Sequence, residues 1–230
     1  MVTKNYNDIK QQVIETARAC GRNPEEITLI AVSKTKPLSD IEELIKIGVV
    51  DFGENKVQEL CNKYENVSKP VKFHLIGHLQ TNKVKYVVDK AKLIHSVDSM
   101  RLAKEIQKEA EKKNIIVPIL VEVNIAEEES KYGLKENEVI PFVEEIAKFP
   151  NIQVNGLMTI APFVENPENN RNYFRRLKQL SLDINSKNID NINMNVLSMG
   201  MTNDYKVAIE EGATMVRVGT AIFGTRNYTV

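Results

Sequence analysis

A lysine placed where an apolar run stops is the first residue in this chain with chemistry to offer. Residues 27–32, Ile-Thr-Leu-Ile-Ala-Val, read as a buried strand, and Ser33-Lys34-Thr35-Lys36-Pro37 follows directly. Pro37 and Ser39 then open an amphipathic helix. The carboxyl ends of strands are where α/β folds gather their chemistry. An amine buried there deprotonates more easily and can add to a carbonyl as a Schiff base. Lys34 taken alone equally fits a solvated lysine at a strand end.

Two small-residue turns lie near the other end of the chain. Ser198-Met199-Gly200-Met201 and Gly219-Thr220 each present backbone N–H groups and a hydroxyl. The helix that follows Thr202-Asn203-Asp204 would aim its positive end at an anion. Together the turns suit a phosphate; either alone is an ordinary strand-to-helix turn. Arg217 stands two residues before Gly219, on the same side of its strand. With Gly219 at the mouth of a barrel, Arg217 points inward, where a charge needs a partner. A ring heteroatom would serve, and so would a structural salt bridge. Asn55, after Phe52-Gly53-Glu54, and His74, inside an apolar strand, could face the same cavity. His74 also fits a hydrogen-bonded core histidine. His78 and His95 lack any zinc-ligand spacing. A Schiff-base lysine, a phosphate cup and an arginine for a ring nitrogen jointly suggest pyridoxal 5′-phosphate, PLP.

These residues need a scaffold, and the hydrophobic pattern describes one. A helix over 7–20 is followed by strands at 27–32, 49–53, 71–77, 93–97, 117–124, 152–160, 194–198 and 215–219. Helical segments alternate with them: from 37 to the stop at Gly48, from 54 to about 64, after 82, and to 113 from a cap at Asp98 or Ser99. Three more cover 136–149, 171–186 and 204–211. The loop 126–133 is acidic and long. Eight alternations predict an α/β protein of the (β/α)8 TIM-barrel class with an extra N-terminal helix. An open doubly wound sheet would need a glycine fingerprint after the first strand, and Val-Ser-Lys-Thr-Lys has no glycine.

Composition narrows the function classes. The 230 residues carry 31 basic and 31 acidic side chains and no net charge, so the footprint of a nucleic-acid binder is missing. Cys20 and Cys61 have no metal-ligand spacing and suit free thiols in a reducing compartment. No apolar run has the length of a membrane helix, and the polar start does not resemble a signal peptide. The expectation is a cytoplasmic protein with no membrane partner and no metal.

The motifs also resemble a family. Residues 31–37, Phe52-Gly53-Glu54-Asn55, 73–83, Gly156-Leu157-Met158-Thr159, 197–204 and 215–224 match, in order, the pyridoxal phosphate homeostasis protein family, also called YggS/PROSC. The resemblance implies an alanine racemase N-terminal domain-like barrel, one PLP-binding domain over 1–230, with PLP as an aldimine on Lys34. Lys36 would be a neighbour that sets local charge. The resemblance also implies a phosphate cup of Ser198, Gly200, Gly219 and Thr220, with Arg217 facing the pyridine nitrogen. Asn55 and Met201 would line the pocket. His74, read from its strand position, joins them as a cofactor-site residue. The acidic residues 127–129 and the tail after Tyr228 are less typical of the family.

The family implication for function is a carrier that buffers or delivers PLP, without steady catalytic turnover. An enzyme on this scaffold needs an acid/base group on each face of the cofactor. With the chain ending soon after the eighth strand, one face is expected to be open to water, which favours exchange. An arginine at the ring nitrogen also makes a weaker electron sink. PLP-dependent apo-enzymes are the expected recipients, and a monomer is the expected state. The alternative is a PLP-dependent racemase-like enzyme; a third is a lyase using Lys34 without a cofactor.

Overall fold

The computed structural model describes residues 1–128 and 131–225. Its strands are β1 (Thr28–Val32), β2 (Asp51–Glu54), β3 (Lys72–Leu75), β4 (Ala91–Val97), β5 (Val117–Glu122), β6 (Ile152–Met158), β7 (Ile192–Met201) and β8 (Met215–Val218). Each pairs in parallel with the next, and β8 closes on β1 with Ile30 opposite Arg217. The helices are α1 (Val2–Ala19), α2 (Leu38–Lys46), α3 (Val57–Asn66), α4 (Val84–Val87), α5 (Met100–Lys112), α6 (Glu136–Ile146), α7 (Arg171–Ser186), α8 (Tyr205–Glu210) and α9 (Thr220–Phe223). This is the expected closed barrel with an additional helix before β1.

Side chains alternate along each strand, so every strand feeds two cores. The outward residues meet the helices in one continuous layer that includes Phe52, Phe73, Ile94 and Ile119. On the helix side, α5 supplies Leu102, Ala103, Ile106 and Ala110, a spacing that paints one face. Ser99 starts that helix, its Oγ accepting from the Leu102 N–H at 3.4 Å. The inward residues form a small separate plug of Leu93, Leu120 and Met158, backed by Val196 and Met215. The next inward positions are polar: His95 lies two residues after Leu93, Ser198 two after Val196, and Arg217 two after Met215. The barrel interior therefore changes from apolar to polar along the strand direction.

Several boundaries differ from the pattern. β3 covers four residues where seven were expected, and β7 runs ten where five were expected. The helix expected after residue 82 is a 3-10 turn followed by the four-residue α4. β5 stops at Glu122, and Val123 continues only as a bridge to Leu134. The short helix α9 was not foreseen. Glu129 of the acidic loop and the tail after Tyr228 lie outside the described residues.

α1 packs on α9, α8 and α2. The segment after it is pinned by Arg22, whose Nη1 donates to the carbonyls of Ile209 and Ala213, each at 2.7 Å. Arg22→Ala leaves both carbonyls without that charged donor. The expected cost is about 2 kcal/mol, the range for hydrogen bonds from a charged group. Urea unfolding of the variant checks this, with a lowered midpoint at unchanged slope.

Candidate functional site

The chain leaves β1 through a turn closed by the Lys36 N–H donating to the Ser33 carbonyl at 3.0 Å. Thr35 sits in the turn at φ 64°, and its N–H donates to Glu59 Oε1 at 2.6 Å. Lys34 is thus presented, half-buried, at the carboxyl end of the strand. Lys36 has a different task. Its Nζ donates to the carbonyls of Phe223, Gly224 and Thr225 at 2.9, 3.3 and 3.2 Å, capping the exit of α9.

Beneath the turn lies an ion cluster that the sequence reading missed. Lys63 is 5% exposed and donates to the Ser33 carbonyl, Glu54 Oε1 and Glu59 Oε1 at 2.7, 2.7 and 2.6 Å. Ser33 donates its hydroxyl to the same Glu54 oxygen at 2.5 Å. Burial pushes the Glu54 carboxyl up, while Lys63 pulls it back down. Lys63 sits on a helix whose pattern looked merely polar, so only the fold could bring it to Ser33.

On the other side of Lys34 is β8. Val32, Lys34, Lys36, Gly219, Thr220 and Gly224 line one small cleft, which joins the lysine turn to the turn after β8. A Cβ on Gly219 would lie 3.3 Å from the Val32 carbonyl oxygen, so a glycine lets the two turns sit close. Gly200 has φ 90°, and a Cβ there would lie 2.6 Å from the Ala208 Cβ. That glycine allows α8 to sit tight on the end of β7. Met201 is partly exposed at the rim, its N–H held by Asp204 Oδ1 at 2.7 Å. Asn55 is half-buried on the rim after β2, against Gly77.

Arg217 points into the barrel, as its parity with Gly219 required. It is 4% exposed, and Nη1 donates to Ser198 Oγ at 2.6 Å while Nη2 donates to the Thr159 carbonyl at 2.8 Å. Both hydrogen-bond partners are neutral. Burial draws its pKa down to about 10, with Asp204 and Glu122 opposing that at longer range.

Two sequence assignments change here. The Ser198 hydroxyl is fully buried between Arg217 and His95, whose Nδ1 is 2.9 Å away, so it supports the guanidinium and does not reach the mouth surface. His74 also turns away from the mouth. Its Nδ1 meets His95 Nε2 at 3.0 Å and its Nε2 meets Asp51 Oδ1 at 3.1 Å, on the first residue of β2. The strand position was right, but β3 starts so late that an inward residue there lies low in the barrel.

Glu122, at the end of β5, was overlooked as well. It is 6% exposed, and its pKa is pushed up to about 7, first by burial and then by Asp98, with Arg217 opposing. Across this rim His78 stacks on Tyr132 at 3.8 Å between ring centres and faces Asp98 at 3.7 Å. An isolated glutamate after an apolar run gave no signal. Among the described residues no cluster of three or more His, Cys, Asp or Glu side chains could hold a metal ion, and no helix is long and apolar enough to cross a membrane.

Two outcomes follow from these buried charges. Lys63→Met strands the Glu54 carboxylate and should cost about 3–5 kcal/mol, the range for breaking a buried pair; chemical denaturation measures it. Glu122 binds its proton more tightly folded than unfolded, so its contribution to stability falls as pH rises from about 4.5 through about 7. Glu122→Gln should remove that loss and gain roughly 1–3 kcal/mol above neutral pH, with little change in mild acid. Urea midpoints in mild acid and mild base check the sign.

Comparison with known proteins supports the fold. Residues 5–227 match the family model described as alanine racemase, N-terminal domain. A pyridoxal phosphate homeostasis protein of Aquifex aeolicus is 44% identical over 96% of both chains. The structure of PipY of Synechococcus elongatus with PLP bound is 30% identical, with a TM-score of 0.81 over 92% of this chain and all of that one. An alanine racemase of Clostridium difficile shares the fold alone: 16% identity and a TM-score of 0.74, over 96% of this chain and 58% of the racemase. A barrel with this motif order and these full-length relatives belongs to the pyridoxal phosphate homeostasis protein family.

Proposed function

We propose that the protein binds PLP at the barrel mouth, as an aldimine on Lys34, and serves PLP homeostasis by buffering or delivering the cofactor. One juxtaposition carries the reading. The cleft that Lys34 shares with Gly219 and Thr220 is entered at the end of β8, two residues after Arg217, a buried guanidinium that donates to a hydroxyl and a carbonyl. A phosphorylated pyridine aldehyde matches that set: an amine for the aldehyde, small-residue turns for the phosphate, and Arg217 for the ring nitrogen. Bound there, PLP would supply the electrophilic carbon that Lys34 needs.

The chain's own residues divide the work. The phosphate is assigned to the turns at Gly200-Met201 and Gly219-Thr220, with Ser198 below them holding Arg217. Asn55, after β2, and Met201, at the end of β7, are assigned to the rim of the pocket. Lys34 is favoured over Lys36 because the Lys36 amine is committed to three carbonyls at the end of α9. PipY bears its PLP on a barrel of the same fold, which supports the assignment of the ligand.

On this reading the protein is one PLP-binding domain over 1–230, a cytoplasmic monomer that hands PLP to apo-enzymes and sustains no catalytic turnover of its own. The homeostasis name of a relative that matches 96% of both chains supports a carrier. The racemase likeness concerns architecture alone.

Borohydride reduction of the PLP-loaded protein and peptide mapping should find the pyridoxyl group on Lys34. An adduct mainly on Lys36 would contradict the assignment. Pyridoxal lacking the phosphate should bind far more weakly in a fluorescence titration; equal affinity would remove the phosphate turns from the site. With amino acids in deuterated water, the loaded protein should transfer PLP to an apo-enzyme without multiple-turnover α-proton exchange. Exchange well above that of free PLP would favour the racemase-like alternative.

A further inference from the structure

The hydrogen bonds inside the barrel form a single file with a direction. Arg217 has only donors, so Ser198 Oγ accepts from it at 2.6 Å. The serine proton is then available for His95 Nδ1 at 2.9 Å. Given in that direction, the contact leaves His95 Nδ1 as the acceptor. His95 is fully buried, and its pKa lies well below the usual value because burial, His74 and Arg217 all disfavour a second charge. In that tautomer its one proton sits on Nε2 and is given to His74 Nδ1 at 3.0 Å. His74 in turn carries its proton on Nε2 and gives it to Asp51 Oδ1 at 3.1 Å. A guanidinium at one end and a carboxylate at the other are compatible with this direction.

The lower end of this file is accessible. Asp51, Lys72, His74, Lys92, Gln153 and Asn155 are among the residues around a cavity of about 480 Å³ at the N-terminal face of the barrel. The Asp51 side chain is 19% exposed, whereas His74 is almost completely buried. The charged or titratable groups facing this pair are Lys72 on β3, Lys92 on β4, Tyr6 and Lys10 on α1, and His95 and Arg217 above. None of this belongs to the mouth.

We propose that Asp51, His74 and His95 are positioning residues for Arg217, and that one proton taken up by this file, favoured by the Asp51 carboxylate at its lower end, resets them. A second proton on His74 must go to Nδ1, where it meets the Nε2 proton of His95. The clash is avoided by a relay: His95 hands its Nε2 proton to His74 Nδ1 and takes the Ser198 hydroxyl proton on Nδ1, and Ser198 Oγ regains one proton from solvent. Ser198 Oγ then faces two donors, His95 and Arg217, and has to turn its own proton elsewhere. Protonation at the base of the barrel thus alters the partner of the guanidinium at the top. The net change is one proton taken up from solvent. Only the consequence for a bound ring ligand rests on the reading of the mouth as a PLP site.

The test begins with the full chain free of cofactor and labelled with nitrogen-15 histidine, titrated by NMR. Three histidines keep the spectrum assignable. His95 should show a bare Nδ1 and a protonated Nε2 at high pH, and should exchange that tautomer at the same midpoint as His74 gains its proton. Asp51→Asn removes the carboxylate that favours the imidazolium, so this shared midpoint should fall by about one pH unit or more. A His95 that holds its proton on Nδ1 throughout, or keeps its tautomer while His74 titrates, would overturn the file even if the variant fails to fold. So would a His74 that stays neutral wherever the fold persists. In the PLP-loaded protein the absorbance should follow the same midpoint and shift with Asp51→Asn. Absorbance blind to that midpoint would break the link to Arg217. Failure to bind PLP at all would refute the cofactor reading and leave the cofactor-free titration standing.

Discussion

A guanidinium inside a barrel has to be solvated by the protein, and the way Arg217 is solvated organises this molecule. Desolvating such a charge costs several kcal/mol even after relaxation. Among the described residues a hydroxyl and a carbonyl accept from it and no carboxylate does, while Asp204 and Glu122 act from farther away. Burial lowers its pKa to about 10, and it stays charged at neutral pH. A closer carboxylate would hold the arginine more firmly but would neutralise it toward a ligand. The neutral partners keep its charge available to the mouth. Perturbed groups of this kind gather where a protein binds or reacts.

The rest of the interior accommodates that choice. Leu93, Leu120 and Met158 plug the lower barrel, and the polar residues occupy the layer above and beside them. Lys63 and Glu54 fix the turn that carries Lys34, and Lys36 ties the same turn to α9. The turn that carries Lys34 is thereby held by an ion pair on one side and by capped carbonyls on the other. The mouth is built on strand ends and on turns fixed by hydrogen bonds, which suits the proposed exchange of one ligand.

The barrel was legible because its signal is repeated eight times: each apolar run is followed by an amphipathic helix, and errors at single boundaries do not disturb the count. Lys34, Gly219 and Arg217 were legible because strand parity fixes the side on which a residue stands. What escaped were contacts between distant strands. His95 and His74 were each visible, yet nothing in the chain shows that β3 and β4 bring their rings within 3.0 Å. Ser198 looked like a phosphate ligand from its neighbours in sequence, but its strand turns the hydroxyl inward to Arg217. Lys63 and Glu122 escaped for a related reason: their burial comes from the closure of the barrel, and a polar residue at a helix face or strand end carries no mark of it.

The account stands or falls on the hydrogen bond from Arg217 to a pyridine nitrogen. PLP labelled with nitrogen-15 in its ring, bound to the full chain and observed by NMR, tests it directly. The account predicts an unprotonated ring nitrogen shifted by an accepted hydrogen bond, and loss of that shift on Arg217→Gln with the Lys34 linkage retained. A protonated pyridinium, or a ring nitrogen unaffected by that substitution, would contradict it.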